Sequence, residues 1–249
     1  MENKAIIPGE ILNFTGKIRD AEGKETGNLA TYYIKYYGSI ELDVVHGGRD
    51  ELVRIKDAID ELIWQANNLF VPPLSYRIGA SGSTSVQQIG NLKQKALDDY
   101  CNNMLGQKNI VAFHKDTIDG KQIEKIVGFM SFKHDYGDRG FLPKEILNED
   151  IVNYVTTIIV NERHQRRGIT KKLYEYVENY LPSAVHARCV ATRTWDTNKE
   201  HLGFLDHYGY RLACTLHDQR EFDGDTFDTV FYSKRVSREQ ENARVVHGM

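Results

Sequence analysis

The chain has 249 residues, which is near the upper limit for one hydrophobic core, so we expect one elaborated domain or a small pair of domains. Its formal net charge of -3 and pI near 6.3, with basic residues scattered along the chain, argue against a general nucleic-acid binder. Hydrophobic residues make up 41% of the chain, the mean hydropathy is -0.51, and no apolar run is long enough to cross a bilayer, so no membrane contact is expected.

The amino terminus and the cysteines indicate a cytoplasmic protein. The opening residues, MENKAIIPGEIL, lack the apolar core and the small-residue cleavage site of a secretory signal. The three cysteines are odd in number and widely separated, and Cys189 and Cys214 lie in apolar strand-like runs where inert core thiols are expected. The histidines and cysteines show no spacing typical of metal ligands, so no metal site is predicted.

Residues 1–30 are interpreted as an N-terminal extension. Turn signals surround short apolar runs such as ILNF, which is compatible with a hairpin. The folded domain is predicted over residues 31–236, and the polar tail 237–249 is expected to fray. The domain begins with Thr31 to His46, which is rich in Tyr, Ile and Val with partial alternation and predicts one or two strands.

Two helices are predicted after these strands. The first begins at Asp50 and ends before Pro72, and its apolar residues recur every three or four positions. The second covers residues 85–105 and follows the serine-rich GASGSTS, which offers N-cap residues. The apolar stripe of the first helix consists of Leu52, Ile55, Ile59, Leu62, Ala66 and Leu69, and that of the second of Val86, Ile89, Leu92, Ala96 and Tyr100.

A β-hairpin and a β-turn-α unit follow. The runs NIVAFHKD and KIVGFMSFKH, joined by the turn TIDGKQ, predict the hairpin. Asn153 to Val160 predicts a strand, and its unbroken IIV ending predicts burial on both faces. Apolar residues at helical spacing predict a helix over residues 168–181, which Pro182 ends.

The last elements are a strand in VHARCVATRTW, a short helix over residues 198–208 that Gly209 stops, and two closing strands. Strands and helices thus mix along the chain without a repeat or an obvious interdomain linker. This order predicts the α/β (α+β) class, with one mixed sheet and helices on its faces.

The polar turn between Val160 and the helix that begins near Gly168 could bind an anion. A helix start leaves its first N–H groups without intrahelical partners and carries about half a positive elementary charge. Gly168 would let a bulky ligand approach the backbone, as in phosphate-binding loops, although the Walker and dinucleotide fingerprints are absent. Arg166 and Arg167 either add charge-assisted contacts or face the solvent. Taken alone, the turn is equally compatible with a basic surface connection.

In its context this turn resembles the loop of the GNAT superfamily of N-acetyltransferases. In that family a strand ending in Val leads into a loop of form Q/R-x-x-G-x-G/A and then a helix, and residues 165–170 read QRRGIT, with Thr170 in place of the usual Gly or Ala. The family's later Asn, aromatic residue and Gly-Phe/Tyr are matched by Asn198, Phe204 and the dipeptide 209–210. The resemblance covers roughly residues 31–235 in element order and leaves the first thirty residues uncovered.

The resemblance implies a mostly antiparallel sheet that splays between its fourth and fifth strands, with acetyl-CoA bound there. The pantetheine arm would lie in the wedge, where a backbone N–H of the strand before the turn would polarise the acetyl carbonyl. The loop N–H groups would hold the pyrophosphate. The implied cofactor-binding residues are Ile158, Ile159 and Val160 on the strand, Gln165, Arg166, Arg167, Gly168, Ile169 and Thr170 in the loop, and Asn198.

The resemblance does not identify the residues that move protons. Many family members use a tyrosine on the short helix as acid, but the matching position is Leu205; Tyr208, three residues on, is a candidate acid or simply packs beside Gly209. Some members use a glutamate on the fourth strand as base, where this chain has Tyr154. The other candidates lie near strand ends: Glu149, Asp150, His114, His134 and Asp135.

Residues 67–77, NNLFVPPLSYR, lie where the family usually builds part of the acceptor site. Phe70, Tyr76 and Arg77 are therefore candidate substrate contacts, with Arg77 suited to an acceptor that carries a carboxylate. Phe70 could equally complete the apolar stripe of the first helix. The acceptor, a small-molecule amine or a peptide amine, is left open, and so is a homodimer.

The predicted function is acetyl transfer from acetyl-CoA to a primary amine by direct attack in a ternary complex. One alternative is a non-catalytic module on the same fold that binds acyl-CoA or another protein, which Leu205 and the missing strand glutamate favour. Another alternative is an acyltransferase that uses a longer acyl donor.

Overall fold

A computed structural model describes residues 11–19, 24–40, 49–70, 73–74, 86–118, 121–135, 142–147 and 151–236. The predicted site residues Tyr76, Arg77 and Glu149 lie outside the described residues, as do Asp150, the GASGSTS segment and the tail 237–249. The chain divides into two compact units. The N-terminal unit comprises Ile11–Ser131 and Thr157–Leu173, and the C-terminal unit contains Phe132–Thr156 and the chain from Tyr174 onward.

The N-terminal unit is an antiparallel sheet with helices. Its strands neighbour one another in chain order, and the first two pairings are antiparallel, with Thr15 opposite Thr31 and Tyr32 opposite His114. The strand formed by residues 12–19 pairs with the strand that runs through residue 30. The elements, of which β4 ends in the C-terminal unit, are β1 (Leu12–Arg19), β2 (Glu25–Gly38), α1 (Arg49–Gln65), α2 (Val86–Leu105), β3 (Lys108–Ile118) and β4 (Lys121–His134).

The predicted stripe of α1 packs in the core of this unit, whereas the α2 residue Leu97 in that core lies outside the stripe predicted for its helix. On α1, Ile55 and Ile59 are fully buried, and they pack in one cluster with Leu97 of α2 and Phe113 of β3. The prediction for Leu69 is wrong, because its side chain is 73% exposed. The α-helix ends at Gln65 and a 3-10 turn over Asn67–Leu69 follows, which changes the direction of the side chains after the last regular turn.

The C-terminal unit contains the remaining strands and helices. Along its part of the sheet the strand order is β5-β6-β8-β7. β5 is parallel to β6, whereas β6 and β7 are both antiparallel to β8, so the sheet is mixed and mostly antiparallel, which confirms the predicted fold class. The elements, of which the end of β5 and the start of α4 lie in the N-terminal unit, are α3 (Lys144–Leu147), β5 (Val152–Val160), α4 (Ile169–Asn179), β6 (Cys189–Trp195), α5 (Lys199–His207), β7 (Arg211–Phe222) and β8 (Asp225–Arg235).

β5 pairs with β6 along only the first part of its length. Its parallel ladder with β6 begins at Val152–Cys189 and ends at Val155–Thr192, although β5 continues to Val160. The prediction of burial on both faces is wrong for the IIV ending: Ile159 packs in the core with α1 and α2, while its two neighbours on the opposite face are half-buried.

The two cysteines expected in apolar strands lie in the C-terminal unit and differ in burial. Cys189 is buried as predicted, but Cys214 is only half-buried.

Within the part of the chain that the structure describes, no helix is both long and apolar enough to cross a membrane. Among the same residues, no three His, Cys, Asp or Glu side chains are grouped as metal ligands would be.

Candidate active site

Hydrogen bonds anchor the start of the predicted loop to the end of β5. The N–H of Asn161 donates to the carbonyl of Val127 on β4 (2.8 Å), and the Asn161 side-chain oxygen accepts from the N–H of Arg163 (3.1 Å). This cap opens a 3-10 turn over Glu162–His164. The Gln165 side-chain amide then donates back to the carbonyl of Val160 (3.3 Å), so the loop leaves the strand in a defined direction.

The backbone of the loop places donors at the start of α4. Arg166 and Gly168 both have left-handed backbone angles, with φ of 58° and 83°. Such turns gather successive N–H groups into an anion-binding concavity. The N–H of Lys172 donates to the carbonyl of Gly168 (3.0 Å), so the N–H groups of residues 168–171 precede the first helical hydrogen bond. Donors arranged in this way, together with the helix dipole, can hold a negatively charged group.

Gly168 combines two properties that this site needs. Its φ of 83° is a conformation that residues with a Cβ adopt at a cost. A Cβ built there would meet no protein atom within 4 Å, so the space above the backbone is open to a ligand. The glycine is thus required by the turn and also leaves room for an anion.

The side chains of the loop point in different directions. Ile169 is buried and fixes the start of α4 to the core, whereas Thr170 is half-buried. The Arg167 guanidinium donates to the hydroxyl of Tyr32 (2.9 Å), behind the loop. Of the predicted loop residues, the structure therefore brings the backbone groups together at the helix start, and it ties Arg167 to β2.

The strand segment Ile158–Val160 lies directly before the loop and faces a glycine of β4. A Cβ at Gly128 would lie 2.9 Å from the carbonyl oxygen of Ile159 and 3.3 Å from a methyl group of Val160. β4 therefore approaches the backbone of this segment closely. The sequence analysis did not identify Gly128, because a glycine inside a strand indicates that another backbone comes close but not which one.

Asn198 lies in the C-terminal unit as the N-cap of α5. Its side-chain oxygen accepts from the N–H of His201 (3.3 Å), and its amide nitrogen donates to the hydroxyl of Thr194 (3.0 Å). The predicted cofactor-binding side chain is thus engaged in capping the helix, which is the ordinary role of Asn at this position.

The match to a family model agrees with this geometry. Residues 89–210, which include the loop and α5, match the model described as the acetyltransferase (GNAT) family. The chain therefore contains a GNAT acetyltransferase domain over residues 89–210. No curated protein matches the chain significantly.

Solved structures similar to this GNAT chain include two proteins from different organisms. NAA60 from Arabidopsis thaliana, in complex with a bisubstrate analogue, is 15% identical over 71% of this chain and 95% of that chain, with a TM-score of 0.46. A GNAT family acetyltransferase from Streptococcus pneumoniae is 12% identical over 83% of this chain and 99% of that chain, with a TM-score of 0.44.

The short helix of this GNAT domain carries apolar and aromatic side chains at the positions considered for an acid. Leu205 is fully buried. The Tyr208 ring stacks on Phe204 (5.4 Å between centroids), and the Lys234 ammonium lies 4.2 Å above the same ring. Burial, followed by the nearby Glu178 carboxyl, raises the pKa of Tyr208 well above its usual value. Its phenol therefore keeps its proton at neutral pH.

Two base candidates of the C-terminal unit have different surroundings. Tyr154 is buried in an apolar cluster with Val152, Cys189 and Phe231. His134 places its Nδ1 2.8 Å from the side-chain oxygen of Asn153, whose amide nitrogen donates to the carbonyl of Val185 (3.0 Å). Because that oxygen only accepts, Nδ1 carries the proton, and a neutral His134 has its lone pair on Nε2.

Phe70 and Tyr100 meet in the N-terminal unit. Phe70 is half-buried and packs edge-on against Tyr100, with ring centroids 5.6 Å apart. The Tyr100 hydroxyl hydrogen-bonds the hydroxyl of Thr157, the residue before Ile158. The sequence placed Tyr100 on an apolar stripe, and its phenol was the signal that this position also needs a polar partner.

Proposed function

We propose that this GNAT protein transfers the acetyl group of acetyl-CoA to a primary amine. The observation that carries the proposal is the loop before α4, where Arg166 and Gly168 adopt left-handed angles and the next N–H groups precede the first helical hydrogen bond. A pyrophosphate needs several donors and a positive potential, and both are available at a helix start. The open space above Gly168 admits a group of that size.

The chain's own backbone would hold the cofactor. Residues 165–170 would bind the pyrophosphate, and Ile158–Val160 would run beside the pantetheine arm, with one N–H directed at the thioester oxygen. When bound, acetyl-CoA supplies an activated acyl group. Because the contacts are mainly to backbone atoms, the side chains of the loop are free to differ from the family pattern, as Thr170 does.

The proposed reaction is direct attack by the amine. The amine must be neutral, so an ammonium substrate first loses a proton to a base. Its nitrogen lone pair then forms a bond to the thioester carbonyl carbon, the carbon–sulfur bond breaks, and its electron pair leaves with the sulfur. The nitrogen finally gives up its second proton, and the thiolate is protonated or leaves as the anion.

The proton carriers are proposed from the sequence candidates. His134 has the protonation pattern of a base, with Nδ1 held by Asn153. Tyr208 keeps its phenol proton, but its raised pKa and its packing against Phe204 and Lys234 make it the weaker acid candidate. Tyr154 and Glu149 complete the set that we propose for mutation. Phe70, Tyr76 and Arg77 are the proposed acceptor contacts.

Titration calorimetry with acetyl-CoA, followed by a free-thiol assay over a panel of small amines and peptides, tests the proposal. We expect binding and thiol release that depends on the acceptor. Absence of acetyl-CoA binding would refute the proposal. Competition by longer acyl-CoA molecules that bind more tightly and release more thiol would move the activity to a different donor.

A pair of variants tests the loop itself. Gly168→Ala adds only the strain of a Cβ at a left-handed position, and we expect a loss of acetyl-CoA affinity below about tenfold. Gly168→Glu adds bulk and a negative charge in the space above the turn, and we expect a loss of at least about 100-fold. Equal affinities of the two variants would show that the pyrophosphate binds elsewhere.

A second candidate function is a non-catalytic acyl-CoA-binding module. The fully buried Leu205, at the position where many family members have a tyrosine acid, favours it. Acetyl-CoA binding without thiol release for any acceptor in the panel would support this alternative over the enzyme.

A further inference from the structure

β1 packs against the back of the loop. A Cβ at Gly16 would lie 2.7 Å from the carbonyl oxygen of Arg167 and 3.0 Å from its Cβ. The same atom would lie 2.9 Å from the ring of Tyr32. Side chains do not fit at such distances, so the backbone of β1 is in direct contact with Arg167. This strand precedes the region 89–210 that matches the family model.

Tyr32 of β2 connects both sides of the turn through one hydroxyl group. The hydroxyl oxygen accepts from the Arg167 guanidinium (2.9 Å) and lies 3.3 Å from Nδ1 of His164. His164 and Arg167 flank the two residues Gln165 and Arg166, which begin the predicted loop. A hydroxyl has one proton and two lone pairs, so it can accept from Arg167 and donate to His164 at once.

The surroundings of Tyr32 hold this arrangement. Its ring is fully buried and stacks on Phe14 of β1 (5.3 Å between centroids), and the ring of His114 lies 5.1 Å away. Burial, and then the positive charge of Arg167, lower the pKa of His164 to about 4. Near neutral pH, His164 is therefore an uncharged ring whose Nδ1 can accept the Tyr32 proton.

These contacts restrain the loop at Arg167 and do not use the N–H groups of residues 168–171. Arg167 directs its guanidinium to Tyr32, and the N–H groups of residues 168–171 are on the part of the chain that starts α4. A charge-assisted hydrogen bond and a close backbone contact restrict the turn at Arg167, which lies directly before Gly168. A preorganised set of donors binds its ligand without the cost of ordering.

We propose that Tyr32 is a positioning residue for acetyl-CoA binding, which with Gly16 of β1 holds the pyrophosphate loop in its binding shape through Arg167 and His164. The inference rests on the proposed function. It assigns a role to β1 and β2 in donor binding, and it places Arg167 behind the loop instead of among the phosphate ligands.

Tyr32→Phe removes the hydroxyl and keeps the ring. We expect its affinity for acetyl-CoA, measured by calorimetry, to fall at least roughly 10-fold, the low end of the range for a lost hydrogen bond to a charged group. Acetyl-pantetheine lacks the pyrophosphate, so its weaker binding, measured by ligand-observed NMR, should be the same in both proteins. A general loss of folding would weaken both ligands and would contradict the proposal.

Gly16→Ala provides a second route to the same result. The added methyl group must displace Arg167 or β1, so acetyl-CoA affinity should fall while acetyl-pantetheine affinity stays unchanged. Gly203→Ala is the matched control, because a Cβ on α5 at that position meets no atom within 4 Å. We expect it to bind both ligands as the unmodified protein does.

The outcomes separate the inference from the function on which it rests. If the unmodified protein does not bind acetyl-CoA, the proposed function fails and the inference fails with it. If the unmodified protein binds and both Tyr32→Phe and Gly16→Ala bind equally well, only the inference is overturned. A Tyr32→Phe/Arg167→Gln double variant that binds no more weakly than Arg167→Gln would support it, since both changes break the same contact.

Discussion

The loop before α4 and the α5 cluster, which consists of Glu178, Tyr208, Tyr210 and Lys234, use polar side chains in opposite ways. At the loop, Tyr32, His164 and Arg167 bond to one another, and the backbone N–H groups beside them are available to a ligand. Around α5, the polar groups satisfy one another inside the C-terminal unit. The Glu178 carboxylate accepts from the Tyr210 hydroxyl (2.9 Å) and from Lys234 (2.8 Å). The first arrangement can bind an anion, whereas the second stabilises the fold.

Histidine illustrates the same contrast. His201 of α5 is half-buried, and its Nε2 lies 3.3 Å from the Tyr174 hydroxyl. Burial lowers the pKa of His201 to about 4, as it does for His164. His164 lies directly before the proposed ligand site, however, while His201 packs among aromatic rings of its own unit. A shifted pKa therefore marks burial in both places and does not by itself distinguish a site from a core.

Lys234→Met should have the largest effect on the stability of the α5 cluster. It removes a partner from Glu178, whose carboxylate is buried and whose pKa is raised first by that burial. We expect the free energy of unfolding in urea to fall by about 2–3 kcal/mol, less than for a fully buried pair because Lys234 is partly exposed. Acetyl-CoA affinity of the folded protein should not change.

Lys17→Met is the control for this experiment. Lys17 and Glu25 are also 2.8 Å apart, but both side chains are largely exposed. Solvent and salt screen such pairs, so we expect a change below about 1 kcal/mol. Similar losses in the two variants would show that burial does not set the strength of the Glu178 pair.

The same contrast explains which features the sequence predicts. The helix before Pro72, the hairpin at residues 108–134 and the β-turn-α unit follow from periodicity and turn residues, which are local properties. The N-terminal contact of the loop is not local: Tyr32 and Arg167 are 135 positions apart. Nothing in the sequence of residues 12–32 indicates that they contact the loop, because the β1 sequence shows only a short apolar run and turn signals.

Corrections within the site region also have physical causes. Leu69 continues the spacing of α1, but the helix ends four residues earlier and the stripe ends with it. The IIV ending of β5 is apolar throughout, yet only Ile159 faces the core, since composition cannot tell which face of a strand is covered. From its position alone, the Arg167 side chain could contact a phosphate or face the solvent, and only the structure shows the Tyr32 hydroxyl beside it.

Gly128→Ala should have an intermediate effect, and it acts on the ligand region. Its Cβ would press on the Ile159 carbonyl, a backbone atom that cannot turn away. We expect a loss of about 1–2 kcal/mol in stability and weaker acetyl-CoA binding, because the Ile158–Val160 backbone must move. Gly203→Ala, with an open position in a helix, should leave stability unchanged or raise it slightly. Unchanged acetyl-CoA affinity in Gly128→Ala would separate this segment from the donor site.

The lowered pKa values of the half-buried His164 and His201 predict an effect of pH on stability of about 1 kcal/mol each. A histidine whose folded pKa is near 4 binds fewer protons below pH 6.5 than it does in the unfolded chain, so stability is complete above pH 6.5 and falls as the pH drops toward 4. For His201 the expected loss between pH 6.5 and 5.5 is about 1 kcal/mol. Urea unfolding of His201→Gln at both pH values should show a smaller decrease than the unmodified protein. An identical decrease would mean that His201 titrates normally in the folded protein.

Tyr208→Phe should have the smallest effect, and it bears directly on the comparison between site and core. The ring keeps its stacking on Phe204 and its contact with Lys234, so stability should change little. The raised pKa makes the phenol a weak proton donor, and we expect kcat to stay within about threefold of the unmodified value. An acid role would instead lower kcat by roughly 100-fold or more while the KM for acetyl-CoA stayed constant. That result would move part of the α5 cluster from the core to the active site.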